Sequence, residues 1–578
     1  MNHTGSRIAA ALLIAAFIML AAAWSVITPI YETPDEPGHI DYIAFIVLQH
    51  ALPVQSTTKR NYAHHPPLYY AAAALATAAA DWTDMRDMPT WTWLGTSDAT
   101  RARHRTAESF PWRGRVLAVH IARGVSIATG ATAVAFTIAI GWMLFPGRRS
   151  IGILAGALLA FTPQFVFVSA AVSNDAAAAA AGAAVLWAML RAWRSPNKPM
   201  HWSVLGLLCG AALLTKSTTL SIVGMACFTW AASMRRFDTQ RTWLTNGARA
   251  FAAAAAVSGW WFVRNVQIYT DPLGWSAYRI AWADMIRTAP LPITDIPQLL
   301  GLQWSSYWGL FGWLSVDPGR WLDICASALL ATAVIGWLRL RRTAARFTAL
   351  QRTSIRLCTA TFLLHQAYLG AQNILQNEVM AQGRLLFPAS AAAMTLTAVG
   401  LLAILDAATA RRAALTISLA AAAAAIGCLA FVIEPTYRMV ALPKRALLSV
   451  PHQVEATFGN LLHLRGYAQR TRITADEATL TVRLYWQALR QPDFDYAVFV
   501  DALDANGTLL ARHYQVPGRP QRFAPSSWQP GDLVDDEWAL TMPAADLRRV
   551  RTLRIGAYDW RNGAVLTTAD GAAYVLAD

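Results

Sequence analysis

The chain has 578 residues, of which 55% are hydrophobic and only 14% are charged. An ordinary soluble domain carries about 25% charged residues, so this composition excludes a wholly soluble protein and predicts a polytopic membrane protein with a soluble part attached. A net charge of +15 would point to nucleic acid in a soluble protein, but many of the arginines lie in short loops between apolar segments. That placement is the positive-inside pattern, and it suits an anionic lipid partner rather than nucleic acid.

The first apolar segment, residues 8–30, follows a single arginine and is too long for a cleaved signal peptide. It predicts a signal anchor with the N-terminus in the cytoplasm. The outer loop 31–111 that follows is far longer than a simple connection, and such loops are usually functional. Within it, 38–49 and 68–80 have the apolar spacing of short helices. Both are shorter than the roughly 20 residues needed to cross a bilayer, so they are predicted to lie on the outer surface of the membrane.

Further apolar segments alternate with basic loops along the chain. The segment 201–232 has Lys216 near its middle and is interpreted as two short helices that turn near this lysine. A second outer loop, 267–320, is rich in Trp, Tyr and Pro, as is typical of a membrane surface. With every short basic loop on the cytoplasmic side, the sequence predicts about eleven transmembrane helices. The remaining predicted spans are 125–145, 151–172, 176–190, 248–263, 321–338, 355–375, 385–405 and 413–432.

The sequence pattern changes near residue 461, after a predicted linker at 434–460. Residues 479–489 alternate apolar and polar side chains, which is the period of a half-buried strand, and two further strand-like stretches flank a hairpin signal at 504–507. Short strands at this spacing predict an all-β sandwich or jelly roll over 461–578, on the extracytoplasmic side. The membrane domain is then 1–433. All five cysteines lie in its apolar segments, without metal-ligand or disulfide spacing.

Two adjacent carboxylates, Asp35 and Glu36, stand between prolines in the segment YETPDEPGH, close to the predicted membrane surface. Ionised side chains are costly near hydrocarbon, so a cluster of them there indicates a function. A carboxylate can take the proton from an incoming hydroxyl, and arginine or lysine can hold a phosphate and stabilise its developing charge. The predicted topology gathers both kinds of group on the outer side, as transfer from an anionic lipid donor requires. The other polar residues gathered there are His39, His64, His65, Asn174, Asp175, Lys216, Arg264, Asn265, Glu378, Gln382 and Arg384.

A series of short motifs extends over the membrane domain. In chain order they are TPDEPGH (33–39), LP (52–53), HPPLYY (65–70), SND (173–175), LTK (214–216), WFVRN (261–265) and QGRLLFP (382–388). Together they give residues 7–433 a pattern that resembles the polytopic GT-C glycosyltransferases, near the protein O-mannosyltransferases and the lipid A aminoarabinose transferase. The segments YTDPLG (269–274) and YWGLFGW (307–313) are also similar to a related bacterial membrane family.

The resemblance implies an enzyme of the bacterial cytoplasmic membrane that uses a polyprenyl-phosphate sugar. Such enzymes transfer the sugar, usually with inversion, to an acceptor outside the cytoplasm, here a glycan, a lipid or a protein of the cell envelope. The acidic residue of their first outer loop acts as base or positions the acceptor. Carried over to this chain, that role falls on Asp35, with Glu36 as its neighbour. The residues implied to bind the lipid phosphate or the substrate are Lys216, Arg264, Arg384, Asn174, Asp175, Tyr70 and Glu378.

Simpler roles for several of these residues stay open. Asp35 and Glu36 also have the pattern of a helix start, since a carboxylate suits the N-cap and proline suits the first turn. Asp175 equally suits a helix cap, and cations near span ends are ordinary interface anchors. Imidazole and carboxylate ligands suit Zn²⁺ or Mn²⁺. The histidines of a candidate divalent-metal site, irregular in spacing, are His39, His64 and His65.

Two other classes of function compete with the enzyme hypothesis. A transporter or flippase of lipid-linked saccharides would place ionisable groups and broken helices near the bilayer midplane within repeated halves. The sequence shows no repeat, and its polar groups gather at the outer ends of the spans. A non-catalytic assembly protein of envelope-polysaccharide synthesis would need neither Asp35 nor Arg384. The all-β domain is open to two interpretations, a carbohydrate-binding module or a shield for the reaction cavity.

Overall fold

The computed structural model describes residues 3–91, 102–104, 108–341, 347–376, 381–437, 450–473, 477–515 and 525–577. The chain divides into two compact units, each built from separate stretches of sequence. The first unit comprises Met1–Thr28, Thr33–Met85 and Arg113–Pro435. The second unit comprises Pro29–Glu32, Arg86–Trp112 and Thr436–Asp578.

The first unit is helical, because its long apolar segments contain few helix-breaking residues between their ends. A 3₁₀ segment, Gly383–Ala389, leads into α15, and a π-helical turn, Leu429–Ile433, continues α16. The α-helices are α1 (His3–Ile27), α2 (Glu36–Gln49), α3 (Leu68–Thr77), α4 (Gly114–Leu144), α5 (Ser150–Ala160), α6 (Pro163–Ser169), α7 (Asn174–Arg194), α8 (Pro199–Leu213), α9 (Leu220–Ala232), α10 (Gln240–Tyr269), α11 (Trp275–Ala281), α12 (Ile296–Trp308), α13 (Arg320–Arg341), α14 (Ala349–Leu375), α15 (Ser390–Leu402), α16 (Ala407–Cys428) and α17 (Glu434–Tyr437).

Among the described residues, six helices are long and apolar enough to cross a membrane, or seven if the bent pair α5 and α6 counts as one span. The chain is therefore a multi-pass membrane protein, but the predicted number of about eleven spans is not confirmed. The two short helices predicted on either side of Lys216 are present as α8 and α9, and both are shorter than a full span. Helices α10 and α14 are long enough to cross a membrane, but they contain too many polar residues to count among these apolar helices.

The predicted span 151–172 is bent by 64° between α5 and α6. Pro163 begins α6, and a proline has no amide hydrogen with which to continue the preceding helix. Soon after α6, Ser173 caps α7 by accepting a hydrogen bond from the backbone N–H of Asp175 at 3.2 Å. The bend and the cap together place Asp175 in the first turn of α7, with its side chain free to form other contacts.

Two buried helices form the centre of the first unit, namely α7 and the segment Gly383–Leu402. They approach so closely that a Cβ atom on Gly182 would stand 2.0 Å from the carbonyl oxygen of Pro388. Only glycine fits a contact of this kind, and small residues are what allow helix backbones in membranes to meet. Because Asp175 lies on α7 and Arg384 on the 3₁₀ segment, this contact brings their side chains to the same place.

The second unit consists of antiparallel sheets. One sheet has the order β3–β4–β5–β8, and the other has the order β10–β9–β6–β7 with β11 also paired to β9. A separate two-stranded pair is formed by β1 and β2. The strands are β1 (Thr90–Trp91), β2 (Ala102–Arg103), β3 (His452–Phe458), β4 (Leu462–Ile473), β5 (Glu477–Ala488), β6 (Ala497–Leu503), β7 (Leu509–Gln515), β8 (Leu533–Pro543), β9 (Thr552–Asp559), β10 (Ala564–Leu566) and β11 (Val575–Ala577).

The larger two sheets bury their apolar side chains in one common core, as the alternation in the sequence predicts. Every second residue of β5 is buried, including Val482 and Trp486. Val500 and Ile555 come from the other sheet to the same core. The predicted all-β C-terminal region is therefore present as two packed sheets.

The first strand of this region starts earlier than the sequence pattern indicates. Strand β3 occupies His452–Phe458, which lies inside the predicted linker 434–460. Its burial pattern explains the difference, because only Ala456 and Phe458 of this strand are buried. Two buried residues at the end of a strand give too short an alternation to be recognised in a single sequence.

Candidate active site

Asp35 lies at the N-cap position of α2 but does not cap the helix. Its backbone is in the left-handed region, with φ of 69°, and its side chain makes no capping hydrogen bond. A non-glycine residue in this conformation costs free energy, and such residues often occur at functional sites. The Asp35 side chain instead contacts Arg384 in an ion pair and accepts a hydrogen bond from the hydroxyl of Tyr62 at 2.9 Å.

Four charged side chains alternate in sign from Asp35 inward. Arg384 forms ion pairs with Asp35 through one terminal nitrogen and with Asp175 through the other, the latter at 2.9 Å. Asp175 in turn pairs with Lys216. We call these four side chains the charged chain. Its two cations and two carboxylates give the set a net charge of zero. The structure therefore brings together three predicted binding residues and the predicted base.

Arg384 is held in place by groups around the start of the 3₁₀ segment. Its Nε donates to the side-chain oxygen of Gln382 at 2.6 Å. The backbone N–H of Gly383 donates to the hydroxyl of Ser306 at 2.8 Å. A Cβ atom on Gly383 would stand 2.2 Å from the backbone nitrogen of Tyr307, so glycine is needed for this approach to α12. These contacts fix the guanidinium in the orientation that reaches both carboxylates.

Glu36 has a different environment from its neighbour. It is fully buried and forms a bidentate ion pair with Arg123, with Nε to Oε1 at 2.8 Å and Nη2 to Oε2 at 2.9 Å. The backbone N–H of Val172 also donates to Glu36 at 2.9 Å. Arg123 donates further to the carbonyl oxygens of Ser25 and Thr28. Glu36 therefore joins α2 to α1, α4 and the end of the bent pair, and has no exposed surface.

The exposed fraction of the side chain separates the three carboxylates. It is 31% for Asp35, 2% for Asp175 and 0% for Glu36. Burial alone would raise the pKa of Asp35, but the positive charge of Arg384 and the hydrogen bond from Arg384 hold it well below the usual value. Asp35 is thus the ionised carboxylate of the charged chain that an external hydroxyl can reach.

A second polar cluster lies beside the charged chain. Its side chains are uncharged, and we call it the neutral group: His39, His65, Tyr70 and Asn174. His39 Nδ1 and the hydroxyl of Tyr70 are 2.7 Å apart, and the same hydroxyl lies 2.9 Å from Nδ1 of His65. The amide nitrogen of Asn174 donates to Nδ1 of His65 at 2.9 Å. Burial lowers the pKa of His39 to about 3 and also that of neighbouring His64 to about 3. These imidazoles are therefore uncharged at neutral pH.

Two atoms of this neutral group have no hydrogen-bond partner within the described part of the chain. They are Nε2 of His39 and the side-chain oxygen Oδ1 of Asn174, both fully buried. Buried polar atoms are nearly always hydrogen-bonded in native proteins. The two atoms therefore mark a place where a polar ligand group would be accepted.

The candidate divalent-metal site does not form in the described residues. The rings of His39 and His65 are near each other, with centroids 5.6 Å apart, and those of His64 and His65 are 4.3 Å apart. However, no group of three or more His, Cys, Asp or Glu side chains in the described ranges is arranged to hold a metal ion. Tyr70 and Asn174 contact the imidazole nitrogens instead.

One predicted binding residue, Arg264, is not brought to the charged chain. Arg264 donates to the carbonyl oxygen of Pro53 at 2.9 Å and packs on the ring of Trp261, with 5.0 Å between the guanidinium carbon and the ring centroid. It forms no ion pair with Asp35 or Asp175. Glu378 lies outside the described residues.

A cavity of about 110 Å³ opens beside the charged chain. Lys216 and His65 contribute to its wall from one side, and Tyr278 and Tyr368 come from α11 and α14. The second predicted outer loop thus supplies part of the wall, through Trp275, Tyr278, Arg279 and Ile286.

Two residues of the site were not found by reasoning from the sequence. Tyr62, which donates to Asp35, has no motif or spacing that would single it out. Arg123, the partner of Glu36, did carry a signal, because it is an ionisable residue in a long apolar helix. It precedes the predicted span 125–145 by two positions, whereas α4 already begins at Gly114 and includes it.

Comparisons with known proteins support the resemblance found in the sequence. Residues 119–261, about a quarter of the chain, match the family model described as dolichyl-phosphate-mannose-protein mannosyltransferase. No curated protein sequence matches the chain. The match runs from α4 to α10, so this part of the chain is similar to that family.

Several solved structures are similar at low sequence identity. ArnT from Cupriavidus metallidurans bound to undecaprenyl phosphate is 11% identical, with a TM-score of 0.44 over 75% of this chain and 74% of ArnT. The oligosaccharyltransferase AglB from Archaeoglobus fulgidus, in complex with an inhibitory peptide and a dolichol-phosphate, is 12% identical, with a TM-score of 0.44 over 74% of this chain and 55% of AglB. The protein O-mannosyltransferase Pmt1-Pmt2 complex of S. cerevisiae bound to the sugar donor is 15% identical, with a TM-score of 0.31 over 47% of this chain and 34% of the matched chain.

Proposed function

We propose that this protein is a membrane glycosyltransferase of the GT-C type, which moves a sugar from a polyprenyl-phosphate donor to an acceptor outside the cytoplasm. The observation that supports this best is the partly exposed carboxylate of Asp35 at the end of a buried chain of alternating charges. A carboxylate next to fixed cations is the combination that the reaction needs. The family match over residues 119–261 gives independent support.

Asp35 acts as the base in the proposed reaction. Its carboxylate takes the proton from the acceptor hydroxyl, whose oxygen forms a bond to C1 of the sugar. The bond between C1 and the phosphate oxygen breaks, and its electron pair leaves with the polyprenyl phosphate. Attack from the face opposite the phosphate inverts the configuration at C1. General base catalysis of this kind contributes roughly 10²–10⁴-fold to the rate.

Arg384 and Lys216 bind the lipid phosphate in this proposal. Both cations are paired with carboxylates in the structure, so an arriving phosphate competes with Asp35 and Asp175 for them. When Arg384 turns toward the phosphate, Asp35 loses much of the positive charge that depresses its pKa. Its affinity for a proton then rises, which makes it a better base at the moment when the acceptor is deprotonated.

The neutral group beside the charged chain contacts sugar hydroxyls in this proposal. Nε2 of His39 and Oδ1 of Asn174 are the buried atoms without a partner in the described residues. Tyr70 and His65 orient them through the hydrogen bonds already described. A sugar hydroxyl both donates and accepts, so it can satisfy either atom.

The remaining residues have supporting roles in this proposal. Glu36 is a structural ion-pair partner of Arg123 rather than a second catalytic acid, because it is fully buried and its partners are already in place. Arg264 anchors the outer loop at Pro53. In this proposal the chain lies in the bacterial cytoplasmic membrane, with its N-terminus in the cytoplasm and its all-β domain, which includes β3, on the extracytoplasmic side.

The test uses the purified full-length chain in detergent with undecaprenyl-phosphate-linked hexoses and an extract of envelope acceptors. Release of undecaprenyl phosphate and gain of a hexose by the acceptor are followed by mass spectrometry. We expect Asp35→Asn to lose about 10²–10⁴-fold of the transfer rate while inserting and unfolding normally. Asp41→Asn is the matched control, since Asp41 lies on the same helix and its ion pair with Arg115, largely exposed on the Asp41 side, is of the kind that contributes only about 0–1 kcal/mol.

Full transfer by Asp35→Asn would overturn the assignment of the base. Absence of transfer by the wild-type chain with every donor, combined with movement of the lipid-linked sugar across vesicles, would favour the transporter. Unchanged envelope glycans in cells that carry a double variant of Asp35 and Arg384 would favour an assembly protein.

A further inference from the structure

The outer face of the five-stranded sheet in the second unit carries six aromatic and apolar side chains, of which four are exposed and two are half-buried. In strand register, Tyr514 of β7 lies beside Phe499 of β6, and Tyr558 of β9 lies beside Val565 of β10. Patches of this kind on a sheet face, rimmed by polar residues, mark interaction sites. The aromatic face, as we call it, consists of Phe499, Tyr514, Tyr558, Val565, Tyr574 and Leu576.

A glycine at the centre of the aromatic face makes room for one ring of that face. Gly556 of β9 is the cross-strand neighbour of Phe499. A Cβ atom at this position would stand 2.3 Å from Cζ of Phe499, so the ring passes directly over the glycine. Phe499 therefore packs against the sheet. The exposed ring of Tyr514 beside it is a surface on which a ligand can stack.

A charged group forms one end of the aromatic face. Asp501 of β6 is fully buried and accepts from Nε and Nη2 of Arg512, at 2.6 and 2.8 Å, and from Nε and Nη2 of Arg554, at 2.8 and 2.5 Å. The third nitrogen of each guanidinium, Nη1, has no hydrogen bond to the described part of the chain. Arg512 also lies over the ring of Phe499, and Arg554 lies over that of Tyr574. Two cations share one carboxylate, so this end carries net positive charge.

The geometry points to an acidic glycan as the ligand of this face. We propose that a pyranose ring stacks on the exposed ring of Tyr514, beside Phe499, while its carboxylate or neighbouring hydroxyls accept hydrogen bonds from Arg512 and Arg554. The axial C–H bonds of a pyranose carry partial positive charge, which suits the negative face of an aromatic ring. Arginine donors held by a buried carboxylate are already oriented for a second carboxylate. Neither feature depends on the proposed transfer reaction.

The charged groups at the end of the aromatic face favour an acidic glycan over a lipid surface as its ligand. Packing against a bilayer would leave the buried Asp501 carboxylate and its two guanidiniums under apolar cover, which is costly. A hydrophilic chain of acidic sugars would leave the edges of Asp501 and the two guanidiniums in water. Its carboxylates would also balance the positive charge of the two arginines. The proposal is therefore a binding site for polyuronate-like chains on the second unit.

The probe is polygalacturonate, with neutral dextran as the comparison polymer, titrated against the full-length chain in detergent. We expect polygalacturonate to bind better than dextran, and Tyr514→Ala and Arg512→Gln each to weaken that binding about tenfold. The matched control is Arg470→Gln, which removes an exposed arginine from the other sheet. Thermal unfolding of each variant shows whether the sheet is intact.

The proposal is overturned if polygalacturonate does not bind, or if the two variants bind it as well as Arg470→Gln does. Equal binding of dextran and polygalacturonate would overturn the requirement for an acidic sugar. Weakened attachment of the variants to phosphatidylglycerol vesicles, with glycan binding unchanged, would assign the face to a membrane surface instead. If a single variant unfolds, Arg554→Gln, on the neighbouring strand, provides the second measurement, with the same tenfold loss expected.

Discussion

Asp35 and Glu36 are adjacent in the sequence, yet their carboxylates bind different arginines. Asp35 pairs with Arg384, 349 residues away, and Glu36 pairs with Arg123 of α4. The first carboxylate is partly exposed and the second is fully buried. This difference divides the acidic pair into a candidate reactive group and a structural one, and it leads to the first prediction.

Glu36→Gln is expected to destabilise the protein rather than to remove a catalytic group. Breaking a buried ion pair by neutralising one partner leaves Arg123 with an uncompensated charge and costs about 3–5 kcal/mol. The apparent melting temperature in detergent should fall well below that of the wild type, and Asp41→Asn should leave it unchanged. A normal melting temperature together with lost transfer would show instead that Glu36 takes part in the reaction.

Arg384→Lys is expected to lose transfer although it keeps the positive charge. Arginine reaches Asp35 and Asp175 with two separate nitrogens, whereas lysine has one and cannot hold both. We expect a loss of about 10²–10³-fold in kcat, the usual effect of removing one oriented donor at a developing charge. Single-turnover transfer assays measure it, with Arg411→Lys on the exposed surface of α16 as the control. Activity near that of the wild type would show that charge alone is sufficient.

Gly182→Ala is expected to separate α7 from the 3₁₀ segment and so to disturb the charged chain. The added Cβ would meet the carbonyl oxygen of Pro388 at 2.0 Å, and a backbone atom cannot move aside cheaply. A loss of stability of about 1–3 kcal/mol is expected, with reduced transfer. Gly224→Ala is the matched control, because no atom lies within 4 Å of its Cβ position, and alanine favours a helix. Equal melting temperatures of the two variants would contradict the close contact.

The stability of the second unit is expected to fall as the pH rises above neutrality, because of His104. Burial alone would lower its pKa, but Glu108 and Glu32, at 3.0 and 2.8 Å, raise it to about 10. The folded state therefore keeps a proton that the unfolded state loses above about pH 6.5. This stabilisation is fully present below pH 6.5 and is lost as the pH rises through about 10.

Hydrogen exchange of the segment around residue 104, followed from pH 6 to 10.5 and corrected for intrinsic rates, measures this dependence. The variant His104→Gln should have lower protection at pH 6 and little change with pH. His463→Gln, a partly exposed histidine of the same unit, should behave like the wild type. A protection that is independent of pH in the wild type would show that His104 is neutral in the folded state.

The sequence by itself determined the membrane character, most helix positions and the all-β C-terminal region. These properties depend on local composition and on periodicity within about 10 to 20 residues, which a single sequence displays directly. It also predicted that Asp35, Asp175, Lys216 and Arg384 lie on the same, outer side of the membrane, since ionised residues next to apolar segments are conspicuous.

Only the tertiary structure decided which of these residues meet and in what state. It separated Asp35 from Glu36, supplied Tyr62 and Arg123 as partners, and kept Arg264 apart from the charged chain. It also showed that the chain bends between α5 and α6 and that, among the described residues, fewer helices than predicted are long and apolar enough to cross a membrane. Each of these results depends on contacts between segments far apart in the chain, such as the Gly182–Pro388 approach, and local sequence patterns carry no information about such contacts.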